Sequence, residues 1–215
     1  MKRKLLFLLL PLIPIVIGII FAVYYSIPRL EYIYSEEYNG YLVSYAYGDN
    51  KEYEIPSSYK GMNVVGFSTR AFYRHHSLER ITFEKEENIR FIGRLSFSEC
   101  ENLKEISIRY ASIIEKNAFA LDFSLEKIEL EAKNIGGSAF FECRSLNEVT
   151  LNMGVESIGS YAFGGCTSLK ELQIPKSVYN IYVHAFNRSG LEVLNVPLSL
   201  LSNAYLKSLD YVKYY

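Results

Sequence analysis

The chain has 215 residues, 49% of them hydrophobic and 22% charged, and a formal net charge of −1. Those values describe one structured domain with ample apolar content for a core, and they exclude a disordered polar chain or a basic nucleic-acid binder. Three cysteines are an odd number and do not make a disulfide framework.

Lys2-Arg3-Lys4 precede an uncharged run from Leu5 to Tyr25, 21 residues, long enough to cross a bilayer as a helix. The basic flank predicts a cytoplasmic amino terminus and an exported remainder, that is, a single-pass membrane anchor with an extracytoplasmic carboxy-terminal domain. Pro11 and Pro14 do not forbid a span. Tyr24 and Tyr25 fall where an interfacial aromatic belt would lie. A cleaved signal peptide, which would make the protein secreted, is the alternative. Its best small-residue site, Ile20-Phe21-Ala22, has a bulky residue two positions before the small one. Beyond the leader's three cations the chain carries about four net negative charges, which argues against a nucleic-acid partner. The organisation read from this pattern is an anchor over 1–25, a linker over 26–38, an N-terminal β cap and lead-in repeat over 39–66, and a repeat solenoid over 67–215.

Ten of the 19 tyrosines lie between Tyr24 and Tyr59. Arg29, Glu31, Glu36 and Glu37 interrupt any apolar period, which assigns residues 29–37 to the linker. Gly40 to Tyr47 alternates as a strand does, Gly48-Asp49-Asn50 supplies a turn, and Lys51 to Ile55 is expected to return as its hairpin partner. Such a hairpin would shield the open end of the stack. The same tyrosines, each a flat apolar face with a polar tip, could otherwise line a glycan or peptide patch.

From Phe72 onward one unit recurs six times. Its aromatic is Phe72, Phe97, Phe119, Phe140, Phe163 and Phe186, at spacings of 25, 22, 21, 23 and 23 residues, and the residue before it is Ala, or Ser96 once. A period in the low twenties means a solenoid whose coils bury a core only by stacking. Five residues before each Phe stands Phe67, Ile92, Ile114, Ile135, Ile158 or Ile181. Five or six after it, Leu78, Leu103, Leu125, Leu146, Leu169 or Leu191 opens an L-x-x-[ILV]-x-[FLIV] run with strand alternation at its end. Each coil is therefore expected to add one parallel strand about 4.8 Å from the next, and the Phe column to form a buried spine. Asn203-Ala204-Tyr205 with Leu209, Val212 and Tyr214 reads as a worn seventh copy without an obvious polar cap.

The wording I-G-x-x-A-F-x-x-C-x-S-L-x-x-[IVL]-x-[IL]-P, fullest from Ile158 to Pro175, resembles the BspA-like leucine-rich repeats of bacterial and some protist surface proteins. The resemblance covers about residues 51 to 215. It implies a right-handed, mainly β leucine-rich-repeat solenoid with short strands on both faces, six repeats plus an N-terminal cap. It also implies a non-catalytic role in adhesion or partner binding at the cell surface. In place of the family's small residue three after the Phe, present as Cys100, Cys143 and Cys166, this chain has His75, Asp122 and Ser189 elsewhere. Cys143 and Cys166 share a column in adjacent coils. They are read as small core residues, with a bridge as the alternative.

Polar positions inside the L-x-x-I-x-I runs form columns on the open strand face. Glu79, Lys104, Glu126, Asn147, Lys170 and Glu192 form one, and Arg80, Glu105, Lys127, Glu148, Glu171 and Val193 the next, with opposite charges on most neighbouring rungs. The third column, Thr82, Ser107, Glu129, Thr150, Gln173 and Asn195, is mostly neutral hydrogen-bonding groups and is the candidate surface for a sugar or extended peptide. Glu148 and Glu171, a like-charged neighbour pair, are the candidate place for a partner's cation. No phosphate loop, metal-ligand cluster or nucleophile elbow is present, and no catalytic, cofactor-binding or metal-binding residue is assigned. His75 and His76 are read as solvated turn residues, and His184 lies four repeats away. Asn187-Arg188-Ser189 matches a glycosylation acceptor, relevant only to a eukaryotic source. The expected partner is a protein or glycan at the cell surface, with a scaffold role in the organism's own envelope as the alternative.

Overall fold

Six phenylalanine rings form the axis of the stack. From Phe72 through Phe97, Phe119 and Phe140 to Phe163, neighbouring ring centroids lie 5.1–5.3 Å apart with planes within 15°, and Phe186 follows at 6.1 Å. All six rings are buried. One ring per coil at nearly the coil spacing gives an offset stack, so each ring packs on its neighbours and burial is shared along the whole chain.

The computed structural model describes residues 29–215, which wind around this axis as a mainly β solenoid of about seven turns. The apolar leader run, 5–25, lies outside the described residues. Among the described residues no helix is long and apolar enough to cross a membrane.

Most coils carry two short strands, one more than the L-x-x-I-x-I run alone predicts and in keeping with the strands on both faces that the family resemblance implies. The strands are β1 (Arg29–Ser35), β2 (Gly40–Tyr47), β3 (Glu52–Ile55), β4 (Ser58–Tyr59), β5 (Met62–Phe67), β6 (Arg80–Phe83), β7 (Phe91–Ile92), β8 (Glu105–Ile106) and β9 (Ile113–Ile114). They continue as β10 (Lys127–Leu130), β11 (Asn134–Ile135), β12 (Glu148–Leu151), β13 (Ser157–Ile158), β14 (Glu171–Gln173), β15 (Asn180–Ile181), β16 (Val193–Val196) and β17 (Val212–Tyr214). The unbroken sheet runs β1-β2-β5-β7-β9-β11-β13-β15, through the Phe67 and Ile column that precedes each spine Phe. The L-x-x-I-x-I runs, expected to form one ladder, form three: β3-β6-β8, β10-β12 and β14-β16-β17. The second interruption falls where Glu148 and Glu171 would be neighbours, a pairing of like charges that a ladder disfavours.

A further backbone ladder runs along the turn that carries the spine. The residues two before and two after each Phe all have φ between 55° and 73°, among them Arg70, Leu95, Ser138 and Glu142. This left-handed kink lets alternate N–H groups reach the next coil, as in Leu95 N–H to Lys116 O, Phe97 N–H to Ala118 O and Glu99 N–H to Ala120 O. Inter-coil hydrogen bonds offset the strain that non-glycine residues carry there. The sixth coil, one residue shorter between Phe186 and Leu191, closes on Gly190, where a Cβ would stand 2.0 Å from Thr167 O.

The amino-terminal cap departs from expectation in two ways. Residues 29–35, assigned to a linker, are the antiparallel edge strand β1 paired with β2. Glu31 faces solvent and Glu36-Glu37 fill the β1–β2 turn, so the charges that argue for a linker sit where a strand tolerates them. Tyr32, on the inward side, stacks on Tyr59 at 4.2 Å. The hairpin of 40–47 with 51–55 does not form. β2 has both edges occupied, by β1 and by β5, and β3 crosses to the other face and pairs in parallel with β6, Tyr53 opposite Ile81.

The far end carries the worn seventh copy. The helical turn α1 (Ala204–Lys207) places Tyr205 after Phe186, and β17 pairs in parallel with β16. A cap is present there, made of side chains. Asn203 Nδ2 donates to Ile181 O at 2.9 Å, and Tyr205 and Tyr215 hydroxyls bond the Phe186 amide and the Ile174 carbonyl.

Candidate functional site

The strand-face columns pair as their charges dictate. Glu79 accepts from both Lys51 at 2.7 Å and Lys104 at 3.0 Å, Arg80 faces Glu105 at 3.6 Å, Lys127 pairs with Glu148, and Lys170 faces Glu192 at 3.4 Å. The two ammonium groups hold the Glu79 carboxyl down at about 2, from an ordinary 4.5. These are surface pairs worth little singly, so their main effect is to cancel the field of the face.

Of the third column, the structure brings Thr82, Ser107 and Glu129 together and leaves the others apart. The interruption between β8 and β10 opens a groove of about 390 Å3 whose walls include Ser107 and Glu129, and Thr82 lies in an adjoining hollow of about 200 Å3 that shares Arg80, Glu105 and Ser107. The longer groove is lined by three cations, Arg80, Lys104 and Lys127, and three carboxylates, Glu105, Glu126 and Glu129. Glu129 is held by Arg109 at 3.5 Å and by Asn152 Nδ2 at 2.9 Å. Thr82 and Ser107 are exposed.

Thr150 and Gln173 lie exposed farther along the stack, and Asn195, part-buried, donates to Glu171 at 2.9 Å. Glu148 and Glu171, the candidates for a partner's cation, are thus engaged by Lys127 and Asn195 respectively.

In the column three residues after each Phe, the cysteines that follow Phe97, Phe140 and Phe163 are core residues, as expected. Cys100, Cys143 and Cys166 are free and buried, and each Sγ donates to a carbonyl of the preceding coil, Phe72 O, Phe119 O and Phe140 O, at 3.0–3.1 Å. Burial raises all three thiols, Cys166 to about 12, so they are weak nucleophiles. Asp122 in this column is fully buried. Its Oδ1 accepts the Cys100 N–H at 2.9 Å, its Oδ2 has no partner, and burial raises its carboxyl well above the usual range.

His75, expected in solvent, is buried at the head of the same column. Its Nε2 lies 2.9 Å from Tyr53 Oη, which itself donates to Tyr47 O at 2.7 Å. Burial lowers its pKa, so it caps the column as a neutral ring. Only its place in the Cys column signals this in the sequence. Among the described residues no group of three or more His, Cys, Asp or Glu could hold a metal ion.

A family model for the BspA type leucine rich repeat region, in six copies, matches residues 22–134 and 65–192. The chain belongs to the BspA-type leucine-rich repeat family. This BspA-type protein is similar in fold to the T. pallidum leucine rich repeat protein TpLRR. The two are 25% identical with a TM-score of 0.53, over 78% of this chain and 68% of that one. It is also similar to a leucine-rich repeat protein from Eubacterium ventriosum, 22% identical with a TM-score of 0.57, over 74% of this chain and 50% of that one. The BspA-type chain thus spans about half the length of the second. No curated protein matches it. Proteins of this repeat family are usually surface or binding proteins and typically non-catalytic.

Proposed function

We propose that the protein is an outward-facing, membrane-anchored repeat module that binds a protein or glycan at the cell surface, without catalysis. The observation that carries this reading is the charge-balanced groove at the β8–β10 interruption. It sets Ser107 and Glu129 beside exposed Thr82 on a face whose cations Arg80, Lys104 and Lys127 are already paired. Such a surface recognises a partner by hydrogen bonding and shape, not by long-range attraction. The leader's apolar run and basic flank support the anchor and its orientation.

A scaffold role within the organism's own envelope is the second reading. It is favoured by the exposed apolar side chains Leu198 and Leu201, surface that an assembly partner would cover. Immobilised protein exposed in parallel to host matrix proteins, a glycan array and the organism's own envelope extract separates the two. Saturable capture from the external sets supports the binding module, and capture from the envelope extract alone supports the scaffold.

A further inference from the structure

A second groove lies on the other sheet. In the second to sixth coils the residues four and three before the spine Phe follow the Ile strand: Gly93-Arg94, Glu115-Lys116, Gly136-Gly137, Gly159-Ser160 and Tyr182-Val183. The fourth and fifth coils have almost no side chain there, while Lys116 stands on one flank and Tyr182 on the other, about 14 Å away at three coil spacings. The hollow between them holds about 560 Å3.

Packing explains only part of this hollow. Gly136 and Gly159 are dictated by the stack, since a Cβ would lie 2.5 Å from Glu115 C or from Gly137 N. Gly137 is not so constrained. A Cβ there would meet only Ser160 O, at 3.3 Å, a contact relieved by a shift of a few tenths of an ångström, and the equivalent positions in the two flanking coils carry Lys116 and Ser160. Its missing side chain keeps the groove open.

The lining has a definite chemistry. Tyr182 is half exposed and Tyr161 also lines the hollow, so the lining offers aromatic surface. The rest is amide and hydroxyl: Asn117, Asn134, Ser138, Ser157 and Ser160. Ser157 Oγ donates to Asn134 Oδ1 at 2.7 Å, which fixes that amide and leaves its N–H groups for a ligand. Lys116 is the one charged lining residue. The floor strands β11 and β13 each pair on both edges, so an extended peptide finds no free backbone edge to join. Multiply charged ligands lack counter-charges.

Aromatic faces beside neutral donors and acceptors suit a ring with apolar C–H faces and equatorial hydroxyls. We propose that this groove is a saccharide site, with a neutral pyranose ring stacked on Tyr182 and its hydroxyls bonded to Asn134 and the lining serines. The site shares no residue with the strand-face groove and stands or falls separately from it.

Titration calorimetry of the full-length chain in detergent with cellobiose, lactose and chitobiose tests the proposal. At least one disaccharide is expected to bind saturably, and Gly137→Lys, which copies Lys116 one coil earlier and so should fold, is expected to weaken it at least tenfold. Tyr182→Ala is expected to do the same, while Glu101→Ala, at an exposed residue outside both grooves, leaves sugar binding unchanged. Absence of saturable binding for all three sugars, or equal binding by Gly137→Lys, overturns the saccharide site. Equal loss of sugar binding in Glu101→Ala would show that the effect is not local to the groove and overturn it equally.

Discussion

The Tyr205 hydroxyl accepts the Phe186 N–H at 3.1 Å, taking the role that a backbone carbonyl of the following coil plays for the five earlier spine residues. Burial pushes that phenol up to about 12. One side chain thus ends the ladder that alternate N–H groups build along the turn, and Asn203 does the same for the Ile181 carbonyl.

Tyr205→Phe keeps the ring and deletes the acceptor, leaving the Phe186 N–H without a partner. A loss of about 1–3 kcal/mol is expected in denaturant unfolding. Hydrogen exchange at the Phe186 amide should accelerate more than at Phe140, whose partner is Ala162 O. Uniform acceleration across the spine would mean that the bond does not act as a cap.

Phe140 sits mid-stack between Phe119 and Phe163. Phe140→Ala should cost about 3–5 kcal/mol, because two flanking coils cannot close the cavity without breaking their own ladders. A thermal melt within a degree of wild type would remove the spine from the account of stability.

Asp122 makes stability depend on pH in an unusual direction. Its folded pKa is raised above the ordinary 3.8, so its neutral form fits the fold: the contribution is fully present below 3.8 and is lost as pH rises through the folded value. Asp122→Asn retains an acceptor for the Cys100 N–H and cannot ionise. The variant should match wild type near pH 4 and exceed it by about 1–3 kcal/mol at pH 8. Parallel curves across that range would contradict the assignment.

His75 acts oppositely. Burial lowers its pKa below the ordinary 6.5, so its contribution is present above 6.5 and is lost as pH falls through the folded value. His75→Cys restores the residue used at Cys100 and should flatten the decline in melting temperature below pH 6.5. An unchanged acid limb would show that the cap tolerates the charged ring.

Side-chain chemistry that repeats is legible in the amino-acid sequence. The Phe spine, the Leu and Ile columns and the Glu79–Lys104 and Lys127–Glu148 pairs follow from residue identity at fixed spacing. Backbone conformation is not legible in the same way. The left-handed turn positions are filled by Arg70, Leu95 and Glu142, types that carry no glycine-like signal and are held there by inter-coil hydrogen bonds. The partner of β2 is misleading because Gly48-Asp49-Asn50 has the composition of a hairpin turn, whereas it carries the chain from one face of the coil to the other. Tyr205 reads as a decayed Phe, since its hydroxyl gains meaning only beside an unpartnered amide. On the strand face the polar column is readable, but its gathering around Ser107 depends on a ladder interruption between β8 and β10 that opposite charges at Glu105 and Lys127 give no reason to expect.

Ser107→Arg places a bulky cation in the balanced groove without touching the core, so its melting temperature should stay within a degree or two of wild type. The most direct test is capture by this variant and wild type, side by side, of the host matrix proteins. Saturable capture by wild type that drops at least tenfold in the variant is the predicted result. Undiminished capture by a stably folded Ser107→Arg protein would contradict the strand-face groove as the binding surface.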